Sequence, residues 1–240
     1  RMDVNTDGLN DYVSVVGSPV SGVATFARSP NANATLVNPG WVVSGLDTSM
    51  NFNGVSTVND AGTLKTYVVG ENRTILVFDG TTISTVNSGR GLFRDWMRAA
   101  AVPNTSTVYA VGGDGQMMKY DGSSTTSITT GTTELLNGIS VVSATDFLIV
   151  GLNKTAKRTT NGGTDWSTID LSSLSGFTAL YEVVRSGSTG VITADSGRIC
   201  LSTNSLGTWS VVQPDTGYTG ALFAAGIKDA NTFMVGGQTG

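Results

Sequence analysis

VYAVGG, residues 108–113, is the phrase on which the reading turns: an alternating apolar strand that ends in Val-Gly. Variants recur as YVSVVG (12–17), TYVVGE (66–71), FLIVGL (147–152), GVITAD (190–195) and TFMVGG (232–237). The anchors fall at residues 17, 70, 112, 151, 194 and 236, and after the first interval they stand about forty residues apart. Each copy follows a polar turn, such as VNDAGTLK, VPNTST or VRSGST.

Other strands flank the phrase on both sides. NGVSTV (53–58), NGISVV (137–142) and ALYEVV (179–184) stand before it. GVATFARS (22–29), TILVFDG (74–80), QMMKYDG (116–122), KTAKRTTNGG (154–163) and RICLSTN (198–204) come after it. A fourth element closes the unit: GWVVS (40–44), ISTV (83–86), TSIT (126–129), DWSTI (165–169) and TWSVV (208–212). Four short strands with tight turns, repeated at this period, predict an all-β chain folded as a β-propeller of four-stranded antiparallel blades. One such blade cannot bury both faces, and arranging blades face to face around an axis covers them and hides most edges.

The repeats run approximately 1–48, 49–90, 91–131, 132–170, 171–214 and, in part, 215–240, within a single propeller domain spanning 1–240. That makes about six blades, with five to seven compatible with the boundaries. Two closures fit. The sixth blade is incomplete or is completed by residues outside the sequence. Alternatively, residues 22–44 supply its outer strands and leave five blades with a spare N-terminal strand.

Composition narrows the function. Charged residues are 13% of the chain, about half the usual share, and 31 glycines with abundant Ser, Thr and Asn replace them. The net charge of −4 and the scattered basic residues, densest at Arg90, Arg94 and Arg98, argue against nucleic acid. Histidine is absent, which removes the commonest general base, zinc ligand and triad member. Cys200 is the only cysteine, so no internal disulfide can form, and its setting in GRICLS suits a small buried hydrophobe. No apolar run reaches the ~18–20 residues of a membrane span. The chain opens at Arg1 without a signal-peptide pattern, as a processed protein or a piece of a longer one would. Low charge with much Thr, Ser, Asn and Gly associates it with secreted, cell-surface or virion-surface proteins.

Several turns resemble known repeats. TTNGGTDW (159–166) is similar to the Asp-box of sialidase-type and BNR propellers, matching at Thr159, Asn161, Gly163 and Trp166. STNSLGTW (202–209) matches at Ser202, Asn204, Thr208 and Trp209, with its glycine displaced. The resemblance implies structural turns: Asn161 and Asn204 bond turn N–H groups, and Trp166 and Trp209 pack between blades. A sugar-stacking role is the alternative for these two tryptophans. Residues 50–240 as a whole resemble the Ycf48-type assembly propellers.

DVNTDGLNDYVSVVG (3–17) resembles the FG-GAP calcium repeat of integrin-α-like propellers. The resemblance implies one calcium site, with side-chain oxygens from Asp3, Asn5, Asp7 and Asp11, the carbonyl of Leu9, and Gly8 making the sharp turn. Calcium takes six to eight oxygens at flexible distances, and this spacing delivers most of them. A polar hairpin turn is the other reading of the same residues.

A sialidase-like activity would need three arginines on a carboxylate, a Tyr/Glu pair and an acid. LFRDW (92–96) matches the sialidase start only at Phe-Arg, and Arg94 and Asp95 read as surface charges. Tyr181 and Glu182 are adjacent and on a strand would point to opposite faces. Arg158, Arg185 and Arg198 do not share a register. The expected protein is therefore not an enzyme. It is a recognition or structural module of the cell surface or virion that binds a glycan or a protein partner, as a part of a larger assembly or longer chain. The alternative is an assembly factor that docks on a membrane complex in the Ycf48 manner.

Overall fold

The computed structural model describes residues 2–6, 11–20, 23–28, 50–60, 63–88, 96–212, 218–229 and 232–238. Its strands form six antiparallel sheets, each a meander in chain order. The first holds β1 (Met2–Thr6), β2 (Asp11–Val20) and β3 (Val23–Arg28). The second holds β4 (Phe52–Asp60), β5 (Thr63–Gly70), β6 (Thr74–Phe78) and β7 (Ile83–Ser88). The third holds β8 (Met97–Asn104), β9 (Thr107–Gly112), β10 (Met117–Tyr120) and β11 (Thr125–Ile128). The fourth holds β12 (Leu136–Val141), β13 (Phe147–Gly151), β14 (Ala156–Thr159) and β15 (Ser167–Thr168). The fifth holds β16 (Leu180–Ser186), β17 (Thr189–Ala194), β18 (Ile199–Ser202) and β19 (Ser210–Val212). The sixth holds β20 (Leu222–Asp229) and β21 (Thr232–Gly237).

All six Val-Gly phrases are second strands, as their period requires. The five-blade closure is corrected: β3 pairs with β2, Ser14 opposite Arg28 and Gly17 opposite Thr25. Those residues complete the first sheet, so they are not the outer strands of the last one. GWVVS (40–44) lies outside the described residues. DWSTI shrinks to the two-residue β15, because Trp166 belongs to the preceding turn.

The Val-Gly signature has a steric cause. In five of the sheets the first strand carries a bulge near its start, where Asn53, Arg98, Asn137, Tyr181 or Phe223 is the extra residue in the register. Opposite the residue before each bulge sits the anchor: Gly70, Gly112, Gly151, Ala194 or Gly237. The next residue along donates its N–H to a carbonyl just before the first strand, as Gly113 does to Trp96 and Leu152 to Leu135. That bond pulls the two backbones together. A Cβ on Gly112 would stand 2.0 Å from the Trp96 oxygen, and one on Gly151 2.2 Å from that of Leu135. In the last sheet the anchor is Gly237, one residue beyond the position that spacing alone selects.

The chain divides into two compact units, Arg1–Ile128 and Thr129–Gly240. Within the first, Val16 and Phe26 pack on Phe52, Val55, Leu76 and Phe78, joining the first and second sheets. Tyr67, Val69 and Ile75 pack on Met97, Val108 and Met118, joining the second and third. A polar thread runs beside the first core: Ser14 and Thr57 hydroxyls are 2.9 Å apart, and Thr57 and Thr66 3.1 Å. Within the second unit, Leu148, Val150 and Ala156 meet Leu180, Val183, Ile192 and Cys200. Val191, Ile199 and Leu222 then carry half-buried Phe233 and Val235 of the last sheet.

Candidate functional site

The bulge residues differ in exposure: Asn137 is buried, Asn53, Arg98 and Tyr181 are half-buried, and Phe223 is exposed. In the first unit the Arg98 guanidinium lies 5.7 Å from the ring centre of Trp96, which is 43% exposed. In the second, Asn137 Nδ2 donates to the Leu180 carbonyl at 2.9 Å and so ties β12 to β16. Tyr181 and Phe223 form an edge-to-face pair, centroids 4.7 Å apart, between β16 and β20. Phe223 is 44% exposed, so one ring of the pair faces water. Gly54 and Gly138, which follow two of the bulges, let neighbouring first strands approach; a Cβ on Gly138 would sit 2.9 Å from the Tyr181 oxygen.

A second surface lies on the turns of the fourth and fifth sheets. The turns after β14 and β18 share one bonding scheme. Thr159 Oγ1 donates to Asn161 Oδ1 at 2.9 Å, the Asp165 N–H donates to the same oxygen at 2.9 Å, and Asn161 Nδ2 reaches Asp165 Oδ2 at 2.8 Å. Ser202, Asn204 and Thr208 repeat it at 3.1, 2.9 and 2.8 Å. These are the side-chain bonds expected of Asn161 and Asn204. Gly163 supplies a positive φ of 91° in the first turn, and Leu206 takes that place in the second at 71°. Leu206 holds this conformation because its side chain is buried in the core between the two sheets. Trp209 packs on the same core, and the Trp166 indole N–H donates to the Thr129 carbonyl at 2.9 Å.

Between these turns runs a groove of about 390 Å³, bounded by β15, Ile169 and Asp170 on one side and Leu206–Trp209 on the other. Arg158 stands in its wall and is already engaged. Its Nε and Nη2 grip the two oxygens of Asp146 at 3.0 Å each, and Arg185 Nη1 reaches Asp146 at 2.9 Å. Burial by itself would raise the Asp146 carboxyl, but hydrogen bonds and charge from the two arginines outweigh it and hold the group below its usual range. Asp170 is also lowered, by hydrogen bonds from Ser172. The groove therefore offers carboxylates, a guanidinium, amides and hydroxyls beside an indole, which is chemistry for holding a polar chain.

The other sequence expectations are placed as follows. Asp7 and Leu9 of the calcium reading lie outside the described residues, as do the side chains of Asn5 and Asp11. Residues 3–6 and 11–14 form a ladder, with Asn5 opposite Tyr12 and Thr6 opposite Asp11. Asp3 Oδ2 accepts the Thr57 N–H from β4, so that oxygen joins the first two sheets. Arg90, Arg94 and Asp95 lie outside the described residues. Cys200 is fully buried, and burial pushes its thiol up to about 12, an inert state. Arg158 and Arg185, read as unrelated in sequence, converge on one carboxylate of the chain itself. The bulge residues carry no sequence mark except the Asn-Gly pairs at 53–54 and 137–138, which were legible only as strand starts.

No protein-family model and no curated protein sequence matches the chain. Among solved structures, that of YCF48 bound to D1 peptide is similar, with a TM-score of 0.67 at 14% identity; the match covers 99% of this chain and 74% of that one. The crystal structure of RRP9 WD40 repeats aligns with a TM-score of 0.63 at 12% identity, over 88% of this chain and 64% of that one. At such identities the likeness concerns the fold alone, and together with the six meandering sheets it makes this chain an all-β propeller of about six blades.

Proposed function

We propose that this protein is a non-catalytic recognition propeller that binds a segment of a partner protein and serves the assembly of a larger complex. One observation carries the reading: exposed aromatic rings lie at the bulges, Trp96 beside Arg98 in the first unit and Phe223 paired with Tyr181 in the second, residue types that anchor protein interfaces. The likeness to YCF48 bound to D1 peptide, over nearly the whole chain, supports a peptide as the ligand class. A catalytic reading has less support: the sequence has no histidine, the commonest general base, and Tyr181 and the two converging arginines are engaged with other groups of the chain. The low-charge, Thr- and Gly-rich composition favours a place at the cell or virion surface.

The test is a peptide-library selection run beside a glycan array. We expect peptides to be enriched, and Phe223→Ala to weaken them by about tenfold, the loss of one aromatic anchor. Glycan capture with no peptide enrichment overturns the partner class in favour of a lectin that uses Trp209 and its groove. Product release from model glycosides overturns the non-enzyme reading.

The N-terminal loop adds a separable element. A calcium ion held by Asp3, Asn5, Asp7, Asp11 and the Leu9 carbonyl would stiffen the first blade. Excess calcium is then expected to raise the Tm by several degrees over chelator, roughly what 1–2 kcal/mol produces at this size. Coincident melting curves count against the ion.

A further inference from the structure

The tryptophans that close the two asparagine turns end differently. Trp166 donates its indole N–H to the carbonyl of Thr129, which directly follows Ile128 at the end of β11. Register names the counterpart of Thr129 one repeat later. Met117 pairs with Ile128 and with Val111, one residue before an anchor. Ala156 pairs with Val150, likewise one before an anchor, and accepts the Ile169 N–H. Ile169 therefore matches Ile128, and Asp170 matches Thr129. Trp209 makes no bond to Asp170; its Nε1 is buried and has no hydrogen-bond partner among the described residues. The groove of about 390 Å³ is bounded by both of them.

Leu206 accounts for the difference. It stands at the positive-φ place that Gly163 holds in the first turn. A Cβ on Gly190 would meet Leu206 Cδ2 at 2.5 Å and Trp209 Cη2 at 2.9 Å, so the two side chains pack side by side on that glycine. The leucine takes up room that the glycine turn leaves to its indole.

The walls of the groove are polar and its floor is not. Thr160, Ser167 and Thr168 are exposed, and their hydroxyls bond no other group among the described residues. Asp165 accepts from Asn161 Nδ2 and Asp170 from the Ser172 N–H, and each carboxylate retains acceptor sites. Ile169, Leu206 and Trp209, which pack on the core of the second unit, form the apolar base. Arg158, the one cation of the lining, is spent on Asp146. The two carboxylates therefore set the charge of the groove, which disfavours phosphate, sulfate and acidic sugars. β15 spans two residues, too few to hold an extended peptide by its main chain. A pyranose ring instead presents a small apolar face rimmed by hydroxyl donors, the complement of this lining.

We propose that the groove binds a neutral oligosaccharide, with one pyranose face on the Trp209 indole and vicinal hydroxyls donating to Asp165 and Asp170. The site goes beyond the peptide-recognition reading and does not depend on it.

A glycan array probed with the 240-residue protein should capture neutral oligosaccharides and pass over sialylated and sulfated ones. The tightest captured glycan is then titrated against three variants at exposed positions. Thr168→Ala should weaken it by roughly tenfold, the loss of one hydrogen bond. Asp165→Thr copies Thr208 of the second turn and keeps an acceptor for Asn161. It should weaken the glycan by roughly tenfold or more, since a charged acceptor is lost. Ser167→Trp fills the groove and should abolish capture in a protein that still melts as the wild type does. Capture unchanged in all three variants overturns the site, and so does an array that captures no glycan or favours acidic ones. Library peptides whose binding is lost in Ser167→Trp, with no glycan captured, assign the groove to the partner segment and also overturn the proposal.

Discussion

Asp146 shows how much a single carboxylate can organise here. It sits in the turn between β12 and β13, accepts from Arg158 on β14 and Arg185 on β16, and so ties the fourth blade to the fifth. The Arg185 side chain is only 7% exposed, so its charge depends on this partner. Asp146→Asn should cost about 2–3 kcal/mol, read as a lowered denaturation midpoint, because it strands that guanidinium. The carboxyl is lowered in the folded state, so its contribution is complete above the unfolded aspartate value near ~3.9 and fades as pH falls through the folded value. Wild-type stability should therefore drop more steeply than that of the variant below about pH 4. None of this was legible in the sequence, since the three residues are 12 and 39 positions apart and belong to different strands.

At the scale of the element, the recurrent unit is a bulged first strand clamped to a Val-Gly second strand. The alternation and the period were readable because side chains on a strand alternate faces and the polar turns interrupt them. The reason for the glycine was not, because the atom it avoids is a carbonyl from another segment. Gly151→Ala should destabilise by about 3 kcal/mol through forced separation of those backbones. Gly226→Ala, with no atom within 4 Å of its added Cβ, should be neutral or mildly stabilising by up to about 1 kcal/mol. Paired urea denaturations of the two variants check this contrast. Ala194 already occupies the anchor in the fifth sheet, and there Asp195 reinforces the clamp: its N–H donates to the Ala179 carbonyl at 3.1 Å, and its carboxylate accepts the Thr178 and Ala179 N–H groups at 2.9 and 3.2 Å.

For the whole molecule, stability should follow the burial of successive blades. β13 and β17 are buried throughout, whereas β20 and β21 are mostly exposed. Native-state hydrogen exchange should find amides of β21 protected at least about a hundredfold less than those of β13 and β17, since local opening there uncovers little apolar surface. Uniform exchange across the three strands would mean that the last blade is locked by contacts other than its own.

What the sequence determined by itself was the all-β class, the forty-residue unit, the strand order within a blade and the hydrogen bonds of the Asn161 and Asn204 turns. These depend on neighbours along the chain, through alternation, turn chemistry and short side-chain reach. Tertiary structure decided the rest: that residues 23–28 stay with the first sheet, that Gly237 and not Gly236 is the last anchor, and that two arginines share Asp146. Each of these depends on which strand lies beside which, and a repeat makes successive strands look alike along the chain.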